Sequence, residues 1–163
     1  MTARRTVPEI TFSRLTEIDP AEITSHMTDP RLRLHMPLLK GVWMPHKTTD
    51  FINAKETCWR RDGLGHWAIL ADHQYAGWGG FQKEGEEWDY ALVLKPAHFG
   101  LGLQITRQAL SFARKEARIA SVMFLLPPSR TKLAALKRLG AKYVGKIDYE
   151  GEIFLKYLLE TDS

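Results

Sequence analysis

The chain has 163 residues, 44% hydrophobic and 26% charged, with 23 Lys and Arg against 19 Asp and Glu. That length and balance suit one globular domain, 1–163, with a sizeable core of its own. No apolar run approaches the ~20 residues of a membrane span, and the single cysteine, Cys58, excludes an internal disulfide and a multi-cysteine zinc site.

The basic N-terminus, MTARRTVP, lacks the apolar stretch of a secretory signal, so residues 1–8 are expected to form a flexible arm. A free thiol suits a reducing compartment, and a cytoplasmic protein is expected. The net charge of +4 fits an anionic partner. Lys and Arg are nevertheless spread along the chain, without a basic run, an RNA-binding signature or a zinc finger. A small phosphorylated molecule explains the charge as well as nucleic acid does. The six histidines show no i, i+4 metal pair, and no metal is expected.

In chain order, Glu9 to Leu15 alternates as a short strand. Asp19-Pro20-Ala21-Glu22 combines an N-cap, a first-turn proline and an acidic first turn, so a helix starts there and ends before Pro30. Thr48 or Thr49 is the expected cap of a second helix. Phe51, Ile52, Lys55, Cys58 and Trp59 lie along one side of it, and Asp62-Gly63 stops it.

The period then changes. His66 to Ala71, Tyr75 to Lys83 and Glu86 to Leu94 read as strands joined by the turns Asp72-His73-Gln74 and Glu84-Gly85, an antiparallel meander. Gly77, Gly79 and Gly80 inside the middle strand imply a bulge or a close backbone approach. A long helix follows, with Ile105, Ala109, Phe112 and Ala113 on its buried face. Ser121 to Leu126 is a short buried strand. The helical crossover before it makes it parallel to, and adjacent to, Glu86–Leu94. Ser129 caps a short helix carrying Leu133, Leu136 and Leu139 and closed by Gly140. Lys142 to Tyr149 and Glu152 to Leu158 form a final hairpin. The order β-α-α-β-β-β-α-β-α-β-β describes an α/β (α+β) domain with a mixed, mostly antiparallel sheet of about seven strands flanked by helices.

Between Leu94 and the long helix stands Lys95-Pro96-Ala97-His98-Phe99-Gly100-Leu101-Gly102. A helix N-terminus carries unpaired N–H groups and partial positive charge. Glycines there let a phosphate reach the backbone without a Cβ in the way. The loop lacks the lysine and Ser/Thr of an NTPase P-loop, and it lacks the third glycine and the βαβ setting of a dinucleotide fingerprint.

The element order, this loop after the fourth strand, and the short helix ending in Leu139-Gly140 resemble the GNAT acetyltransferases. The closer resemblance is to the branch that acetylates ribosomal-protein N-termini, the RimJ/RimL type. Its loop reads Pro-x-x-Trp-Gly-x-Gly, against Pro96-Ala97-His98-Phe99-Gly100-Leu101-Gly102 here. Leu15 to Asp19, Asp29-Pro30 and Gly77-x-Gly79-Gly80-Phe81 also fit, and the resemblance spans roughly residues 9–158. The chain departs from the wider pattern in Ala97, where Arg or Gln is usual. Ser129 and Leu136 stand where many members have Asn and Tyr.

The resemblance implies an acetyl-CoA-dependent N-acetyltransferase acting on a primary amine of a protein N-terminus or small molecule. Acetyl-CoA is then the cosubstrate and no metal is needed. The pantetheine arm would pair with the backbone near Val93 and Leu94. The pyrophosphate would sit on the amides of Phe99, Gly100, Leu101, Gly102 and Leu103, with Ser129 nearby. Glu87 and Asp89 alternate onto one face of the strand that leads to the site, and either is a candidate base for the amine proton. Tyr90 and Tyr143 are candidate donors to the leaving thiolate, Trp43 and Met44 flank the acceptor, and Arg130 and Lys132 are candidates for the 3′-phosphate. A homodimer through the final hairpin is compatible with the sequence; nucleic acid and membrane are not expected partners. The competing reading is a non-catalytic acyl-CoA-binding or sensing module on the same fold.

Overall fold

The computed structural model describes residues 7–34, 36, 39, 41–128 and 134–161. Seven strands form one sheet in the order β1-β2-β3-β4-β5-β7-β6. They are β1 (Ile10–Ser13), β2 (His66–Ala71), β3 (Gln74–Glu84), β4 (Glu87–Leu94), β5 (Ser121–Leu126), β6 (Lys142–Tyr149) and β7 (Glu152–Glu160). Every neighbouring pair is antiparallel except β4 with β5, the parallel pair that a helical crossover demands. Among the described residues no helix is long and apolar enough to cross a membrane.

One face of the sheet carries α4 (Gly102–Lys115), the crossover helix, with Ile105, Ala109, Leu110 and Ala113 buried at helical spacing. Trp67, Phe81, Trp88, Tyr90 and Phe124 meet it. The other face carries α1 (Pro20–Met27), α2 (Pro30–Arg33) and α3 (Pro45–Asp62), which bury Ile23, Leu32 and Ile52 against Ala68, Trp78 and Val93. A fifth helix, α5 (Ala134–Arg138), precedes β6.

The caps explain most boundaries. The Asp19 carboxylate accepts from the Ala21 amide at 3.0 Å, as the motif predicts, and Gly63 ends α3 in the left-handed region at φ 74°. Three expectations are corrected. The helix α3 starts at Pro45, after Met44, without a side-chain cap. Thr48 is buried inside it and accepts from the Trp43 indole at 2.8 Å, so its hydroxyl pins the entry segment instead of capping the helix. The strand β1 stops at Ser13, because Leu15–Glu17 turns as a 3-10 segment that buries Leu15. The short α2 was hidden because Pro30 reads as a stop. Proline also suits a first helical turn, and the Asp29 side chain caps it by accepting from the Arg31 amide.

The glycine-rich β3 fits both expectations made for it. A bulge shifts the β2–β3 register between Ile69 and Leu70. A Cβ on Gly77 or Gly79 would lie 2.3 Å from the Val93 or Ala91 carbonyl oxygen, so these glycines let β4 approach.

Candidate active site

The strands β4 and β5 share only three register pairs, Trp88↔Val122, Asp89↔Met123 and Tyr90↔Phe124. Beyond them β4 stays with β3 as far as Leu94↔Gly77, and β5 stays with β7 as far as Leu126↔Leu155. Each strand keeps its antiparallel partner while the parallel pair parts. The result is a wedge in the middle of the sheet, with residues 91–94 of β4 paired on one edge only. Val93 and Leu94 are in this stretch, and their side chains are buried in the cores.

At the end of the wedge the chain makes a 3-10 turn, Pro96–Leu101, and enters α4 at Gly102. Neither the turn nor the first turn of α4 has an acidic residue or a side-chain cap, so the first amides of a 14-residue helix lack an internal side-chain acceptor. Gly102 has ordinary helical angles, φ −55° and ψ −45°. A Cβ on Gly100 would meet nothing within 4 Å, and one on Gly102 would meet only Leu92 Cδ2 at 3.9 Å. Neither backbone angle at Gly102 nor packing at either position requires glycine, although glycine near a helix start weakens it relative to alanine. The backbone at both positions is open to close approach from outside. Phe99 and Leu103 are exposed beside them. Partial burial, with the positive charge of Lys95 adding to it, holds the His98 ring below its usual proton affinity.

The two candidate carboxylates share a face of β4, opposite α4, but not a situation. Glu87 Oε1 accepts from Lys156 Nζ of β7 at 2.7 Å. Asp89 has no hydrogen-bond partner among the described side chains. Burial pushes its carboxyl from the ordinary 3.8 up to about 7, with Glu84 adding to the rise and Lys55 opposing it. It stands in register with Gln82 of β3. The Gln82 amide accepts from Lys55 Nζ at 2.9 Å and donates to Glu84 Oε1 at 3.1 Å. Tyr149 Oη of β6 donates to the same Glu84 oxygen at 3.4 Å. The Lys55 ammonium also faces the rings of Trp78 at 5.0 Å and Phe51 at 5.4 Å, and burial lowers its pKa to about 8. Beside this network a cavity of about 460 Å³ is lined by Cys58, Arg61, Asp62, Gln82, Lys83, Glu84 and Gly85.

His66 of β2, opposite Gly80 in the ladder, is on the same face. It is fully buried, neither ring nitrogen has a partner among the described residues, and burial with help from Lys55 keeps it neutral. Sequence reasoning missed Lys55, Gln82, Glu84 and His66. The available signal was a lysine in the apolar stripe Phe51-Ile52-Lys55-Cys58-Trp59, since a charge inside a buried stripe needs a partner.

The other candidates separate clearly. Tyr90 points to α4, where its hydroxyl pairs with Thr106 Oγ1 at 2.8 Å and burial raises its pKa, so it does not face Asp89. Tyr143 is half exposed on β6, beside the Tyr157 ring. Trp43 is buried and Met44 exposed before α3. Cys58 is half-buried on the cavity wall, 3.9 Å from Arg61 Nη2, rather than in the core. Ser129, Arg130 and Lys132 lie outside the described residues. Among the described residues, no three His, Cys, Asp or Glu side chains group as metal ligands.

No protein-family model matches the sequence, and no curated protein matches it significantly. Solved structures do match. A GNAT-family acetyltransferase from Bacillus anthracis superposes with a TM-score of 0.73 at 16% identity, over 96% of this chain and 97% of that one. RimL, a ribosomal alpha-N-protein acetyltransferase solved with coenzyme A, gives 0.75 at 14% identity over 93% of each chain. The aminoglycoside acetyltransferase AAC(6')-Ib, in complex with coenzyme A and kanamycin, gives 0.74 at 11% identity over 93% of this chain and 95% of that one. With near-complete coverage in both directions, a seven-stranded sheet and a parallel pair that parts at its centre, this chain has the GNAT acetyltransferase fold.

Proposed function

We propose that the protein is an acetyl-CoA-dependent N-acetyltransferase that acts on a primary amine by direct attack. The observation that carries this reading is the conjunction at the wedge. A gap between β4 and β5 runs from an uncapped helix start, whose glycines serve no internal purpose, to a carboxylate poised near neutrality. The residues suit the cosubstrate. The amides of residues 99–103 and the positive end of α4 would hold the pyrophosphate through charge-assisted hydrogen bonds. The free edge of β4 at Val93 and Leu94 would pair with an amide-bearing arm as a strand does.

When bound, acetyl-CoA supplies the thioester carbon that the amine attacks. The chain's own part is to deliver a neutral amine. An α-amino group titrates near ~8 and a lysine near ~10.4. A carboxylate at about 7 is close enough to accept the proton of the first, directly or through one water. Of the two carboxylates, Asp89 is the better base, because Glu87 is committed to Lys156. A coenzyme thiol with a pKa near that of cysteine, ~8.5, departs near neutral pH with little help, so the site works without a tyrosine at Leu136.

The acceptor belongs to the same proposal. The likeness to RimL and the base matched to an α-amine favour a peptide or protein N-terminus, whereas the likeness to AAC(6')-Ib favours an aminoglycoside. Thiol release from acetyl-CoA, measured with N-terminal dipeptides, spermidine and kanamycin, separates them. Turnover with any one supports the enzyme. Tight coenzyme A binding with no turnover across a broad panel would instead favour a sensing module.

A further inference from the structure

A lysine beneath a helix ordinarily extends to water. Lys55 does not. It stands in the middle of α3, with Trp78 and Phe51 against its ammonium, and it spends a hydrogen bond on Gln82. Gln82 in turn is the register partner of Asp89. Because the Gln82 amide accepts from a cation and donates to Glu84, only one of its two flips satisfies both neighbours, so it holds Lys55 and Glu84 at fixed positions around Asp89. The titratable groups around this side of the sheet come from six elements. The helix α3 presents Lys55 and β3 presents Glu84. Glu87 of β4 is neutralised by Lys156 of β7, Tyr149 of β6 is engaged with Glu84, and His66 of β2 is uncharged. Of these, Glu84 and Lys55 act on Asp89 with opposite sign.

We propose that Lys55 is a positioning residue: held by Gln82, the register partner of Asp89, its ammonium favours the ionised form of that carboxylate and so lowers the pH at which the site becomes reactive. The last clause rests on Asp89 being the base of the acetyltransferase proposed above; the first does not. Lys55 and Glu84 act as a pair of opposed weights. Removing the cation makes Asp89 harder to ionise, and removing the anion makes it easier.

The test uses the full chain without coenzyme, labelled with ¹³C at the aspartate carboxyls, with Asp89 assigned by its loss in Asp89→Asn. The expected result is an upward move of the Asp89 midpoint by about half a unit or more in Lys55→Met and a downward move in Glu84→Gln. Lys55→Arg, which keeps the charge, should leave the midpoint near its original value. Lys55→Gln provides a second neutral variant if the methionine does not fold, and an amide fingerprint checks each fold. A midpoint that stays put in both folded neutral variants, or that moves equally in Lys55→Arg, overturns the inference. If acetyl transfer is found, the acid limb of its kcat profile should move with the NMR midpoint. A midpoint that moves in a protein with no turnover upholds the role of Lys55 and counts against the enzyme reading alone.

Discussion

Tyr90 and Phe124 are the last pair that β4 and β5 hold in register, and their rings meet on the α4 face with centroids 5.5 Å apart. On one side of this pair the sheet is continuous; on the other the two strands follow different partners. Phe124 is 4% exposed. Phe124→Ala should cost about 3–5 kcal/mol in a urea titration, the usual range for deleting a buried ring. It should also weaken coenzyme A binding, because the same contact fixes the apex of the wedge. A stable variant with unchanged affinity would show that the pair does not set the opening.

The loop glycines give a sharper test. Gly102 has helical angles and room for a methyl group. Gly102→Ala should therefore keep or raise thermal stability, by up to about 1 kcal/mol, while reducing coenzyme A affinity. Gly100→Asp and Gly102→Asp should fold and bind no coenzyme, since each puts a carboxylate where the pyrophosphate is expected. Calorimetry and melting curves on the same samples read both halves of this expectation.

Asp89→Asn should lower kcat by about 10²–10⁴, the range for loss of a general base, with coenzyme A affinity little changed. Wild-type activity should rise with pH through about 7 as Asp89 ionises. Stability carries an independent signature. The folded carboxyl is raised from 3.8 to about 7, so between those values the native state holds a proton that the unfolded state releases. Wild-type stability relative to Asp89→Asn should therefore fall as pH increases from about 4 to 7 and level off above. Melts over that interval check the sign.

Gly79→Ala probes how closely β3 and β4 approach. Its methyl group would stand 2.3 Å from the Ala91 carbonyl oxygen, a backbone atom that yields only if the strand moves. The expected outcome is a clear loss of stability, with weakened coenzyme A binding in whatever remains folded, because the displaced stretch is the free edge at residues 91–94.

Much of this fold is legible in the sequence because strand alternation and turn chemistry are local. His66–Ala71 and Ser121–Leu126 fall where the pattern puts them, and the crossover helix dictates the parallel pair. The misread boundaries had specific causes. Pro30 and Pro45 can end one element or begin another, and Thr48 offered a plausible cap while its hydroxyl was needed by Trp43. The site divides along the same line. The glycine loop is a contiguous motif. Gln82 and Glu84 reach Asp89 across the β3–β4 hairpin, but the rest of its environment comes from α3, 34 residues away at Lys55, and β6, 60 residues away at Tyr149, and no local pattern reports that those side chains will surround it. The alternation of Glu87 and Asp89 gave a shared face, but only the tertiary pairing with Lys156 distinguished them.

The most direct test of the central claim is an amide chemical-shift titration of the full chain with coenzyme A. The account predicts saturable binding, with the largest changes at the amides of residues 99–103 and along residues 91–94 of β4. Saturable binding that leaves those amides unmoved, or no binding at millimolar coenzyme, would contradict it.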